Sequence, residues 1–254
     1  EQHCAACHGP EGRGDGVAAR HLYPRPRNLR EERMRLVSTL TGAPTTADIK
    51  AVIQNGVPGT SMAPLETLSD VELEQLVQVV QQMRQEGEAE RYIAYLQANG
   101  FDVDPEEIAD SVRVPVKPED VVTAPPIAAA DADSIDLGEQ IYQRLTCDSC
   151  HGSAGTGDPS TPLFDDGGYP TFARDLVHDP LKGGNTAESL YLRIRVGMPG
   201  TPHPAADGLS EQELVALVHY CQSLAEQPKT TLTNFERATR ETSHPAWDLE
   251  LTGE

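Results

Sequence analysis

Two five-residue segments carry the residues best suited to chemistry: Cys4-Ala5-Ala6-Cys7-His8 and Cys147-Asp148-Ser149-Cys150-His151. In each, two thiols stand one helical turn apart, and an imidazole follows the second at once. Three chemistries use such a pair. A redox dithiol works in a βαβ setting, and a zinc site takes further ligands from elsewhere in the chain. A Cys-x-x-Cys-His run can instead form two thioethers to the vinyl groups of a haem and hold the imidazole beneath its iron. Two copies with matching surroundings favour haem at both.

The surroundings form an internal repeat. Gly12-x-Gly14-Asp15 follows His8 at the offsets at which Gly155-x-Gly157-Asp158 follows His151. Tyr23-Pro24-Arg25-Pro26-Arg27-Asn28-Leu29 is answered by Tyr169-Pro170-Thr171-Phe172-Ala173-Arg174-Asp175-Leu176, one residue longer. From Thr45 to Met83 the first copy aligns without a gap to Thr186 to Leu224, at a constant offset of 141. Gly56-x-Pro58-Gly59-Thr60 then coincides with Gly197-x-Pro199-Gly200-Thr201. The chain is a tandem duplication.

Helices must position these motifs. Ser69 and Ser210 stand three residues ahead of Glu72 and Glu213, which predicts two capping boxes. Apolar residues follow at helical spacing: Leu73, Leu76, Val77 and Val80 in the first copy, and Leu214, Leu217, Val218 and Cys221 in the second. Cys221 occupies the place of Val80, so it reads as a buried structural thiol. A helix is also predicted from Asp136 to Cys147, and a separate one from Glu88 to Asn99, ended by Gly100.

The 254 residues suffice for two domains. Aromatics make up only 5%, beside 21 glycines and 20 prolines, so a large apolar cofactor would supplement a thin core. The net charge of −20 argues against nucleic acid or an anionic membrane surface and for a partner with a basic docking surface. No apolar run approaches the ~18 to 20 residues of a membrane span.

Each half resembles a class I c-type cytochrome domain, and the whole resembles a tandem dihaem cytochrome c. The resemblance covers about residues 1–86 and 135–226. It implies an all-α fold, two covalently bound haems c with their irons, and electron transfer in the periplasm or another extracytoplasmic compartment. It assigns Cys4, Cys7, Cys147 and Cys150 to the thioethers and His8 and His151 to the irons. The second ligand of each iron then comes from the Gly-x-Pro-Gly-Thr loop. In the first half that loop holds one candidate, Met62, where the family places a methionine. The offset of 141 puts His203 on Met62 and Met198 on Val57, so His203 is the expected ligand of the second iron and Met198 its rival. The family's Tyr-Pro loop lies beside the haem propionates, which makes Arg27, Arg174, Tyr23 and Tyr169 candidate propionate partners. His178 and His219 read as surface histidines, as do His3, His21 and His244.

The domain reading is a cytochrome c domain over 1–86, a helix and long Pro-rich acidic linker over 87–134, a second cytochrome c domain over 135–227, and a tail over 228–254 containing Trp247. The segment Asp102 to Asp133 reads as an extended tether, with its valines able to lie along a domain surface. Only Glu1-Gln2-His3 precedes Cys4, so the equivalent N-terminal helix is expected to be cut off and the protein to continue upstream, with room there for a signal sequence or membrane anchor. The functional expectation is a dihaem electron-transfer protein serving redox partners, as a subunit of a larger respiratory complex. The alternative is a dihaem peroxidase-like enzyme with an open or labile second haem.

Overall fold

In the computed structural model the chain is described over residues 4–112, 116–157 and 162–225. It divides into two compact units between Val121 and Val122, the loop Val57–Thr60 aside.

The first unit opens with α1 (Ala5–His8), a single turn closed by Gly9 in a positive-φ conformation. Helix α2 (Thr46–Asn55) starts at a capping box of Thr45 and Asp48. Helix α3 (Asp70–Ala98) starts at the capping box of Ser69 and Glu72. The apolar faces of α2 and α3 meet through Ile49, Ile53, Leu73 and Val77, flanked by Met34, Leu65, Leu68, Leu76 and Val80. Each such side chain contributes about 1.5–3 kcal/mol by leaving water. A short helix α4 (Pro105–Ser111) starts behind Asp104, whose side chain accepts from the Glu106 N–H, and it buries Ile108.

In the second unit α5 (Ala132–Arg144) leads to α6 (Asp148–His151), the turn that carries the second thiol pair. A two-residue hairpin, β1 (Leu163–Phe164) with β2 (Pro170–Thr171), pairs antiparallel. Helices α7 (Ala187–Val196) and α8 (Glu211–Ser223) follow, the latter from the predicted capping box of Ser210 and Glu213. Ile141 and Tyr142 of α5 join Ala216, Leu217, Val218 and Tyr220 of α8 and Leu190, Tyr191 and Ile194 of α7 in one core. The α5–α8 crossing is close because Gly138 lies on the backbone of Ala216, where a Cβ would collide with the carbonyl. Apart from the small hairpin, the described residues form an all-α structure, and among them no helix is long and apolar enough to cross a membrane.

Several expectations are corrected. The helix expected from Glu88 is the second half of α3, which runs unbroken from Asp70 to Ala98. The boundary drawn at residue 86 therefore falls inside a helix. Gly87 does not break it, because the neighbouring residues are good helix formers and the glycine is packed against another segment. The tether is not uniformly extended. It contains α4, a 3₁₀ turn at Pro118–Asp120 and a bridge between Thr39 and Val121 in the first unit. Within the second unit, Val122, Ala124 and Ile127 pack on the core, and α5 starts at Ala132, ahead of the predicted Asp136. His219 is not a surface histidine. It is buried, its Nε2–H donates to the Ala128 carbonyl and its Nδ1 accepts from the Ser134 hydroxyl, so it pins residues leading into α5 onto α8. The tail over 228–254, His3, Val114 and Asp158 lie outside the described residues.

Candidate functional site

The two attachment motifs fold alike. In each, the histidine N–H donates to the carbonyl of the first cysteine, Cys4 at 2.8 Å and Cys147 at 2.9 Å, which brings both thiols and the imidazole onto one turn. The turn then reverses at Gly9 and Gly152. The His8 carbonyl accepts from Gly14 N–H and the His151 carbonyl from Gly157 N–H, both at 2.8 Å. Gly14 and Gly157 have positive φ, and a Cβ would press on the Pro26 and Ala173 carbonyls respectively. These glycines let the following loop pass directly under each histidine.

That loop supplies a backbone partner for each ring. His8 Nδ1 lies 2.8 Å from the Arg27 carbonyl, and His151 Nδ1 lies 2.9 Å from the Arg174 carbonyl. A carbonyl only accepts, so Nδ1 carries a hydrogen in both rings, and Nε2 is the nitrogen left to face a metal. This is the arrangement by which a buried partner orients a metal-binding imidazole and raises its basicity. In the second unit the Tyr142 hydroxyl also donates to the Gly152 carbonyl at 2.8 Å, bracing the motif against α5.

The Gly-x-Pro-Gly-Thr loops are also alike. Thr60 donates through both N–H and hydroxyl to the Val57 carbonyl, and Thr201 does the same to the Met198 carbonyl. Gly56 abuts the backbone of Met62, Ala63 and Pro64, and Gly197 abuts that of His203, Pro204 and Ala205. Met62 and His203 therefore occupy the same point of the same loop. The His203 ring faces the His151 ring, with centroids 6.1 Å apart and planes at 76°. Its Nδ1 is buried with no hydrogen-bond partner among the described residues. Burial first, and the neighbouring His151 second, push the His203 imidazole down to about 4. The ring is therefore neutral near pH 7 and retains a lone pair. Burial also lowers His151 and raises the Cys4 and Cys147 thiols. Burial first, and the neighbouring Cys147 second, push the Cys221 thiol up to about 12, which disfavours its thiolate.

The propionate candidates are placed less uniformly. The Arg27 guanidinium pairs with Glu32 at 2.6 Å, and that of Arg174 with the buried Asp179 at 3.2 Å. Tyr23 is partly buried, whereas Tyr169 is exposed beside the hairpin turn. Sequence reasoning singled out the two arginines for their side chains and missed their carbonyls, which carry no side-chain signal. It also missed Asn28 and Asp175, which are aligned in the repeat and cap the same loops: Asn28 Oδ1 accepts from the Arg30 and Glu31 N–H groups, and Asp175 Oδ1 from those of Val177 and His178.

The residues fit a haem c: a thiol pair on one turn, an oriented imidazole beside it, and a second loop returning a soft or imidazole donor. A bare metal ion fits poorly, since among the described residues no three His, Cys, Asp or Glu side chains cluster to hold one. An all-α unit with this constellation defines a covalent haem protein. Comparison with known proteins agrees. The cytochrome c family matches residues 135–225, and the family described as cytochrome C oxidase, cbb3-type, subunit III matches residues 1–78. A solved chain of the reducing HAO-like protein complex of Kuenenia stuttgartiensis is similar at 30% identity, over 89% of this chain and 93% of that one, with a TM-score of 0.73. No curated protein sequence matches significantly. The chain belongs to the class I c-type cytochromes, with covalently bound haem c and haem-based electron transfer as its function.

Proposed function

We propose that the chain carries two haems c, one per unit, and passes electrons between redox partners as a subunit of a larger extracytoplasmic complex. Cys4 and Cys7 would hold the first haem, with His8 and Met62 on its iron. Cys147 and Cys150 would hold the second, with His151 and His203. The haem supplies reversible one-electron exchange at its iron. The protein's part is to orient the imidazoles through the Arg27 and Arg174 carbonyls and to fill the opposite face of each iron from the loop.

The observation that carries this reading is the His151–His203 pair. Two imidazoles sharing one metal, each bonded at about 2.0 Å, would stand with their ring centres roughly 6 Å apart. The centroids lie 6.1 Å apart. Met198 sits at the start of the turn, its N–H donating to the His203 carbonyl, in the place that Val57 holds in the first loop. Were Met62 and His203 each to take up the second position on their irons, neither iron would offer a substrate site, which supports a carrier over a peroxidase-like enzyme. The likeness to a chain of a named protein complex supports a subunit role, and the −20 charge supports a basic docking partner.

Thioether sulfur favours ferrous iron, whereas a second imidazole favours ferric iron. Haem 2 should therefore have the lower potential, so electrons enter at the second unit and leave from the first. A redox titration resolving two midpoints, the lower belonging to a bis-histidine spectrum, tests this; two coincident midpoints refute the direction. Held on one iron with their planes near the 76° of the structure, the two imidazoles would leave the iron orbitals they overlap close in energy. Ferric haem 2 should then give a strongly anisotropic low-spin resonance. Rapid cyanide binding at one iron would instead support the enzyme.

A further inference from the structure

Helix α3 extends well beyond its counterpart. The equivalent α8 ends at Ser223, which aligns with Gln82, whereas α3 continues to Ala98. The extension reaches Arg13 through Glu90 at 3.3 Å and the Glu32 carbonyl through Arg84 at 3.4 Å, but it holds Arg30 at both ends. At Gly87 the helix backbone lies on Arg30, where a Cβ would stand 2.6 Å from the carbonyl carbon and 2.7 Å from Cα and would collide with the carbonyl oxygen. The Arg30 side chain is only 8% exposed, and its two terminal nitrogens reach Glu86 at 2.7 Å and Glu90 at 2.6 Å, carboxylates one helical turn apart. Its carbonyl accepts from the Arg91 guanidinium at 2.8 Å. Both ends of Arg30 are therefore held by the same stretch of helix.

Arg30 lies three residues beyond Arg27, in the short loop whose Arg27 carbonyl accepts the His8 Nδ1–H. Among the described residues the second unit shows no such grip. Val177 stands where Arg30 does, so no guanidinium is present at that position, and the loop keeps the Asp175 cap that Asn28 provides in the first unit.

We propose that the α3 segment Glu86–Arg91, by gripping Arg30, is a positioning element that fixes the Arg27 carbonyl beneath His8 and so sets the donor strength of that imidazole alone. A hydrogen bond from the far ring nitrogen fixes the ring and makes the near nitrogen more basic. A loop free to move away would weaken that bond at His8 and leave the one at His151 intact. This rests on His8 being an iron ligand in a haem-loaded first unit.

The test uses the full haem-loaded chain with Glu86→Gln and Glu90→Gln together, which removes the ion pairs at two half-exposed positions, and separately Gly87→Ala, which forces the helix off the loop. Hydrogen exchange of the histidine ring Nδ1–H groups is read by NMR on the ferrous, ¹⁵N-histidine-labelled protein. Exchange at His8 should rise by about two- to tenfold, the worth of one net hydrogen bond, with His151 unchanged. No change at His8, or equal acceleration at both rings, would overturn the proposal, and should Gly87→Ala not fold, the double Gln variant decides. A haemochrome assay on the same samples separates the premise: absence of haem from Cys4 and Cys7 would defeat the ligand reading, and this inference with it.

Discussion

Replacing Gly138 by Ala sets two effects of known size against each other. In an exposed helix the change stabilises by about 1 kcal/mol, because glycine gives up more backbone freedom. In α5 the added Cβ would lie 2.6 Å from Tyr220 Cβ and 2.8 Å from the Ala216 carbonyl carbon, and would collide with the Ala216 carbonyl oxygen. Two of those atoms are backbone of α8, so relief requires the helices to separate rather than one side chain to turn. Overpacking of this kind costs about 1–3 kcal/mol, and a contact with helix backbone belongs at the upper end. The net is a loss of about 1–2 kcal/mol, which lowers Tm by roughly 5–15 °C for a unit of this size. Calorimetry on the full haem-loaded chain, following the transition of the second unit, reads this directly. An unchanged or higher Tm would refute the argument that the α5–α8 crossing is set by backbone contact at Gly138.

Three further outcomes are expected. Tyr142→Phe removes the donor to the Gly152 carbonyl and should destabilise the second unit by about 1–3 kcal/mol in urea unfolding, and a value near zero would mean that carbonyl finds another donor. Thr146 is a β-branched residue at φ 55 between α5 and Cys147. Thr146→Gly removes strain of about 1–3 kcal/mol against a glycine cost of about 0.5–1 kcal/mol, so thermal melting should shift upward; a drop would contradict the strain. The Arg144 guanidinium and the Ser210 cap hold the Glu213 carboxyl at about 2, below its ordinary 4.5. A carboxyl with depressed pKa contributes stability that is complete above 4.5 and lost as pH falls through about 2. Glu213→Gln should therefore flatten the fall in stability between those values, and parallel acid-denaturation curves for both proteins would contradict this.

The parts of the fold legible in the sequence are those fixed by local chemistry. Ser69 with Glu72 and Ser210 with Glu213 announce helix starts because a capping box is a four-residue event, and the apolar stripes behind them find partners as the pattern requires. The attachment turns are legible for the same reason. The misread elements depend on distant residues. Gly87 looks like a break between helices, yet it is the point where α3 meets Arg30, a contact 57 positions away in the sequence. His219 looks solvent-facing by analogy with Gln78, until Ala128 and Ser134 cover it. Helix α4 was readable in principle: Asp104-Pro105-Glu106-Glu107 is a capping residue followed by proline at the first helical position, hidden among prolines that suggested an extended chain. At the site, the sequence singles out the side chains, whereas the carbonyls of Arg27 and Arg174 that orient His8 and His151 could not be seen without the loop's path.

The ferric near-infrared charge-transfer spectrum, scaled to the haem count from a haemochrome assay, tests the ligand assignment most directly. Met62 on one iron and His203 on the other predict two haems per chain and a single equivalent of the methionine-to-iron band, beside one bis-histidine band. Two methionine equivalents would put Met198 on the second iron, and a pigment released by acidified organic solvent would show that sulfur does not hold it at all.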